Sequence, residues 1–92
     1  MVRLRRRIDA LDRRIVALLN ERADLGRDVG RAKAAAGRRA IRDAEREREV
    51  LLRVTMANTG PIAQADLLAI YRRLIAATRA LEARDRARES RD

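Results

Sequence analysis

The sequence has no cysteine, no histidine, no tryptophan and no phenylalanine, and Tyr71 is its one aromatic residue. Without cysteine there are no disulfides, and a metal site of the usual Cys/His kind is excluded with them. Cysteine nucleophiles and histidine-activated serines are excluded as well. One proline, Pro61, and four glycines leave few places for the chain to break. Long apolar runs are also missing: the longest near the start covers residues 15–19, far short of a membrane span or a secretory signal. Asp9 and Asp12 argue against a mitochondrial transit peptide. The expectation is a soluble cytoplasmic protein that engages no membrane.

What remains is a chain of 92 residues, one domain and short for a self-sufficient core. Leucine, isoleucine and valine carry the packing, and no stretch alternates apolar and polar residues for long, so strand signals are weak. The fold class is all-α. Net charge is +9, from 23 basic and 14 acidic residues. Such an excess attracts anions, and nucleic acid has to be weighed. The charges are interleaved, however, as in RRRIDALDRR and EARDRARES, which is the pattern of solvated helix faces. A small anionic ligand fits the excess equally well.

The first helix is expected from Val2 to Ala36, with Gly37 as its C-terminal stop. At about 1.5 Å per residue it would be roughly 50 Å long. A compact domain of this size has a radius of gyration near 13 Å, so the remaining residues cannot cover so long a rod. A second copy is the natural cover, and an intertwined homodimer follows. Asp43 is a plausible N-cap for a second helix, with Glu45 and Glu47 in its first turn. That helix stops at Asn58-Thr59-Gly60-Pro61, a dense turn signal. The third runs from about Ala63 to Arg84 or beyond, giving three helices per chain. Residues 1–85 form the domain, and the polar tail 86–92 is expected to fray.

The apolar stripe of the first helix, Leu4, Ile8, Leu11, Ile15 and Leu18, is interrupted at its next position by Arg22 and resumes at Leu25, Val29 and Ala32. Lys33 follows eleven residues after Arg22, at roughly 20° of helical rotation and about 16 Å along the axis, so both side chains point the same way. Glu47 precedes Val50, Leu51 and Val54 on the inner face of the second helix. Thr78 and Glu82 stand one turn apart on the inner side of the third. For each residue alone the plain alternative is a packed stem with its charged head in solvent, or a threonine bonded to its own helix. Jointly, polar residues at core positions on three helices point to a shared polar pocket inside a bundle. Arg5 is about 25 Å from Arg22, too far to serve the same pocket in one chain, but an antiparallel partner would bring it there. A merely solvated cluster of Arg3, Arg5, Arg6 and Arg7 stays open.

The pattern L-R-x-x-I-D-x-L-D, the run E-R-x-x-L-x-x-x-V-G-x-x-K and the turn R-D-x-x-R-E, over roughly residues 4–84, resemble the all-helical class of chorismate mutase in its short, single-activity form. The resemblance implies an intertwined homodimer with two equivalent pockets, no cofactor and no metal, working in aromatic amino-acid biosynthesis through the shikimate pathway. By position, it implies that Arg22 holds the ring carboxylate of chorismate with Thr78 beside it. Lys33 would contact the side-chain carboxylate and the ether oxygen, and Arg5 of the other subunit would clamp that carboxylate. Glu47, with the backbone at Asp43, would bind the ring hydroxyl, and Arg46 would stand near the pocket. Glu82 would face the ether oxygen, with Lys33, Glu82 and Arg22 carrying catalysis.

Conversion of chorismate to prephenate is an intramolecular [3,3] rearrangement and needs no acid, base or nucleophile to break a bond. The protein must hold two carboxylates so that the ligand adopts a compact chair, and must stabilise charge developing on the ether oxygen. Glu82 can do so only when protonated, because an ionised carboxylate accepts and cannot donate. Two other readings compete. An isochorismate pyruvate lyase shares the helical scaffold and acts on a similar dianion. A basic nucleic-acid-binding or interaction module would use the arginine-rich faces, but has only Tyr71 for base stacking.

Overall fold

The computed structural model describes residues 1–37 and 43–90. Among these residues there are three helices and no strand: α1 spans Val2–Ala35, α2 Ala44–Ala57 and α3 Gln64–Glu89. Beyond Gly37, the basic connector read at residues 37–41 lies outside the described residues, as do positions 91 and 92 of the tail.

Each boundary has a local cause. α1 ends where Gly37 takes a φ of 77° and its N–H bonds the Ala34 carbonyl at 3.0 Å, a left-handed step open to glycine. Asp43 caps α2, its Oδ1 accepting from the Arg46 N–H at 2.9 Å, with Glu45 and Glu47 favourably placed in the first turn. Between α2 and α3, the Asn58 Oδ1 accepts from the Gly60 N–H at 2.9 Å. Its Nδ2 donates to the Ile62 carbonyl and to Gln64 Oε1, tying the turn to the start of α3. α3 runs through residues 86–89, where fraying was expected. Arg86 and Arg88 in its last turn complement the carbonyl end of the helix dipole, and Asp85 just before them is anchored to α1.

The short 58–63 connection folds α2 back on α3, and α3 returns alongside the second half of α1. Residues 22, 26 and 30 of α1 meet residues 71, 78 and 82 of α3 in ascending order, so these two helices run the same way. They approach closely because Gly26 and Gly30 present no side chain. A Cβ on Gly26 would overlap the Thr78 Cγ2, and one on Gly30 would lie 3.2 Å from the Glu82 Cγ. Farther along, Arg27 grips Asp85 with both ends of its fork, Nε to Oδ2 at 2.9 Å and Nη2 to Oδ1 at 3.0 Å.

That pair makes part of the stability depend on pH. Hydrogen bonds from Arg27 hold the Asp85 carboxyl below its usual range, against the desolvation that opposes the charged form. A folded-state pKa below the unfolded one adds stability above about pH 3.9, lost as pH falls through the lowered value. Asp85→Asn should therefore have a lower urea midpoint than the unaltered chain at pH 7, and the gap should close as pH drops below about 4. A gap that stays constant down to pH 2 would mean that the ion pair contributes nothing.

The chain is elongated, 52 × 28 × 15 Å, with a radius of gyration of 16.3 Å. No apolar residue is buried among those described, and Thr78, at 7% exposure, is the one buried side chain. α3 covers only the second half of α1. The stripe Leu4, Ile8, Leu11, Ile15 and Leu18 is 50–59% exposed along its length. Burying such a side chain is worth about 1.5–3 kcal/mol, so a lone chain leaves most of its available hydrophobic stabilisation unused. No helix among the described residues is long and apolar enough to cross a membrane.

Candidate functional site

The three helices enclose a cavity of about 720 Å³ at the level where the α1 stripe is interrupted. Arg22 and Lys33 reach it from α1, Asp43, Arg46 and Glu47 from the start of α2, and Thr78 and Glu82 from α3. These are seven of the eight site residues expected from the sequence. Arg5, the eighth, is exposed near the other end of α1 and does not line the cavity of its own chain. Leu25, Val29, Val50 and Ile75 supply apolar walls, so the space combines a greasy lining with convergent charge.

Two charged residues of the cavity escaped the sequence reading. Arg79 and Arg86 also line it from α3. The helical row that runs through Thr78 and Glu82 in steps of four reaches Arg86 next, and Ile75 leads to Arg79 by the same step. The signal was present, but 23 basic residues in the chain make any one arginine unremarkable.

Arg22, Lys33, Arg46, Arg79 and Arg86 set five cations against the carboxylates of Asp43, Glu47 and Glu82, an excess of two positive charges. How the charges pair decides what they can do. Lys33 Nζ sits 3.8 Å from Asp43 Oδ2, a loose contact that a stronger anion would displace. Arg46 leans out to Glu49 at 3.6 Å on its own helix. Arg79 Nη1 approaches Glu47 Oε1 at 3.3 Å, across from α3 to α2. The Arg22 guanidinium lies over the Tyr71 ring, 5.8 Å from its centroid, a cation–π contact that orients it without neutralising it. Tyr71 is thereby occupied by the site itself. Glu82 is half-buried and packs its stem on the bare backbone of Gly30.

Thr78 is the residue whose observed bonding differs most from its expected role. Its hydroxyl donates to the Leu74 carbonyl at 3.1 Å, one turn back on α3, and its methyl group fits against Gly26. The proton that would bond a ligand carboxylate is committed to the helix. Thr78 shapes the floor of the cavity and joins α1 to α3. Among the described residues no group of three or more acidic, histidine or cysteine side chains is placed to hold a metal ion.

An apolar-walled cavity with two net positive charges suits a small dicarboxylate. Residues 4–83 match the family described as chorismate mutase type II. The bifunctional chorismate mutase/prephenate dehydratase of Aquifex aeolicus is 40% identical over 83 residues, 86% of this chain and 23% of that protein. The protein of the same name from Stutzerimonas stutzeri is 36% identical over 83 residues, with the same two shares. That of Escherichia coli K12 is 44% identical over 54 residues, 59% of this chain and 14% of the other. The chain thus spans 23% of the length of the first of these relatives.

Proposed function

The chain belongs to the chorismate mutase type II family, and from that membership we propose that it rearranges chorismate to prephenate, using this cavity to fold and stabilise the dianion. The observation that carries the reading is the convergence of Arg22, Lys33, Glu47 and Glu82 from three helices on one space with an excess of two cations. The step makes and breaks its bonds within one molecule, so no proton or covalent intermediate has to pass through the protein.

Arg22, held flat by Tyr71, takes the ring carboxylate as a two-pronged donor. Lys33 exchanges its long contact with Asp43 for the side-chain carboxylate and the ether oxygen. Glu47, with the backbone at Asp43, accepts the ring hydroxyl, and Arg46 adds charge at the rim. Glu82 faces the ether oxygen, where a carboxyl donates to the gathering charge only in its protonated form. Thr78 contributes shape, its proton being held by Leu74. The working domain is residues 1–85.

The working form is a homodimer. The exposed stripe from Leu4 to Leu18 needs a cover, and a second copy antiparallel to the first would place its Arg5 near the middle of this α1, where Arg22 waits. Reading the molecule as a lyase of isochorismate is less favoured, because the relatives named above carry the mutase. A nucleic-acid-binding module is less favoured too, because Tyr71 lies under Arg22.

One experiment tests both site and assembly. Arg5→Ala and Arg22→Ala chains should each be nearly inactive alone. Mixed and refolded together, they form heterodimers in which one pocket of two carries both arginines, restoring about a quarter of the unaltered activity by statistics. Recovery of nothing, with heterodimers shown to form, would remove Arg5 from the neighbouring pocket. An unaltered chain that converts no chorismate would remove the proposed function itself.

A further inference from the structure

Among the described residues, Arg79 is a cavity cation in cross-helix contact with a carboxylate assigned above to the ligand. Its Nη1 lies 3.3 Å from Glu47 Oε1, and the Glu47 side chain is only 19% exposed. By contrast, Arg46–Glu49 and Arg53–Glu49 join residues three or four apart on one exposed helix face. Arg79 also carries a strained feature: its Nε is buried and meets no acceptor among the described residues. A guanidinium free to choose would turn that donor to water. This one is turned inward with its outer nitrogen on Glu47.

Glu47 has a demanding task in the proposed reaction. To accept from the ring hydroxyl it must point into the cavity, although a glutamate has three rotatable bonds. One guanidinium nitrogen reaching across from the facing helix restricts it.

We infer that Arg79 is a positioning residue, fixing the Glu47 carboxylate so that it recognises the ring hydroxyl of the substrate. The inference rests on the mutase reading of this cavity. The hydroxyl does not take part in the bond exchange, so its recognition is felt about equally in the bound substrate and in the transition state. Losing it raises KM and leaves kcat nearly alone.

The test is a set of steady-state measurements on the full chain with chorismate. Arg79→Met should raise KM about 10-fold with kcat within about threefold, and Arg79→Lys should fall between it and the unaltered protein. In a Glu47→Gln background, where the carboxylate is already gone, Arg79→Met should add nothing. The inference is overturned if Arg79→Met leaves KM unchanged, or if its effect persists undiminished beside Glu47→Gln. The second result would mean that Arg79 acts on the ligand or the fold directly. Should Arg79→Met lose its helicity, Arg79→Lys and Arg79→Gln carry the same comparison. An unaltered chain that rearranges no chorismate defeats the mutase reading and this inference together. An active one with independent losses defeats this inference alone.

Discussion

Arg22→Ala is expected to lower kcat/KM for chorismate by about 10²–10³-fold while helix content and subunit assembly stay as they are. Arg22 holds a position on α1 that the surrounding spacing would give to an aliphatic residue, and it is half-buried there. Its neighbours in the cavity are an aromatic face and two small or apolar positions, Gly26 and Leu25. The guanidinium is therefore a half-buried charge resting near an aromatic ring, with no ion pair to a carboxylate among the described residues, and a ligand carboxylate is the natural counter-ion. Removing it relieves the fold of an uncompensated charge, so stability should hold or rise. The loss has to appear in function.

The conservative variant separates charge from shape. Arg22→Lys keeps the charge but gives up the fork and the stacking on Tyr71, and should recover only part of the loss. Lys33→Ala should cost as much as Arg22→Ala, since the proposed reading gives the lysine both the second carboxylate and the ether oxygen. Loss of chorismate in the presence of each purified variant is the measurement. Activity within threefold of the unaltered chain in either alanine variant would show that the cavity is not where the dianion is held.

The residues on which these variants act were legible before any coordinates, and the reason is periodicity. A helix that buries one face declares its inward positions, and a charge at such a position is visible as a break in rhythm. Arg22, Lys33, Glu47 and Glu82 were found that way, and Asp43 was found as a cap. Periodicity cannot say which side chain of a neighbouring helix stands opposite. Arg27 and Asp85 are 58 positions apart, and their bidentate pairing depends on the offset between α1 and α3. That offset is set by Gly26 and Gly30, whose value lies in what they leave room for. Arg79 and Arg86 were hidden differently, inside a composition so rich in arginine that inward and outward ones look alike. The anchor of α3 at Asp85 was likewise out of reach of a reading that sees one helix at a time.

Glu82→Gln should keep or raise turnover, whereas Glu82→Ala should lose about 10²-fold. The carboxyl lies on the wall formed by α3, its stem pressed to Gly30, with Lys33 and Arg86 on the same cavity and Arg27, Arg31, Asp85 and Glu89 around its outer side. In the rearrangement the ether oxygen gains negative charge, and a protonated carboxyl can donate to it while an ionised one repels it. Glutamine offers an N–H in the same place and should turn over at least as fast as the unaltered chain. Glu82→Ala, with no donor at all, should lose about 10²-fold. Measuring kcat for the three chains at one neutral pH distinguishes the possibilities. If Glu82→Ala stays within threefold of the unaltered chain, or if Glu82→Gln is as impaired as Glu82→Ala, then the donor to the ether oxygen is another group. Lys33 would then carry the ether oxygen alone.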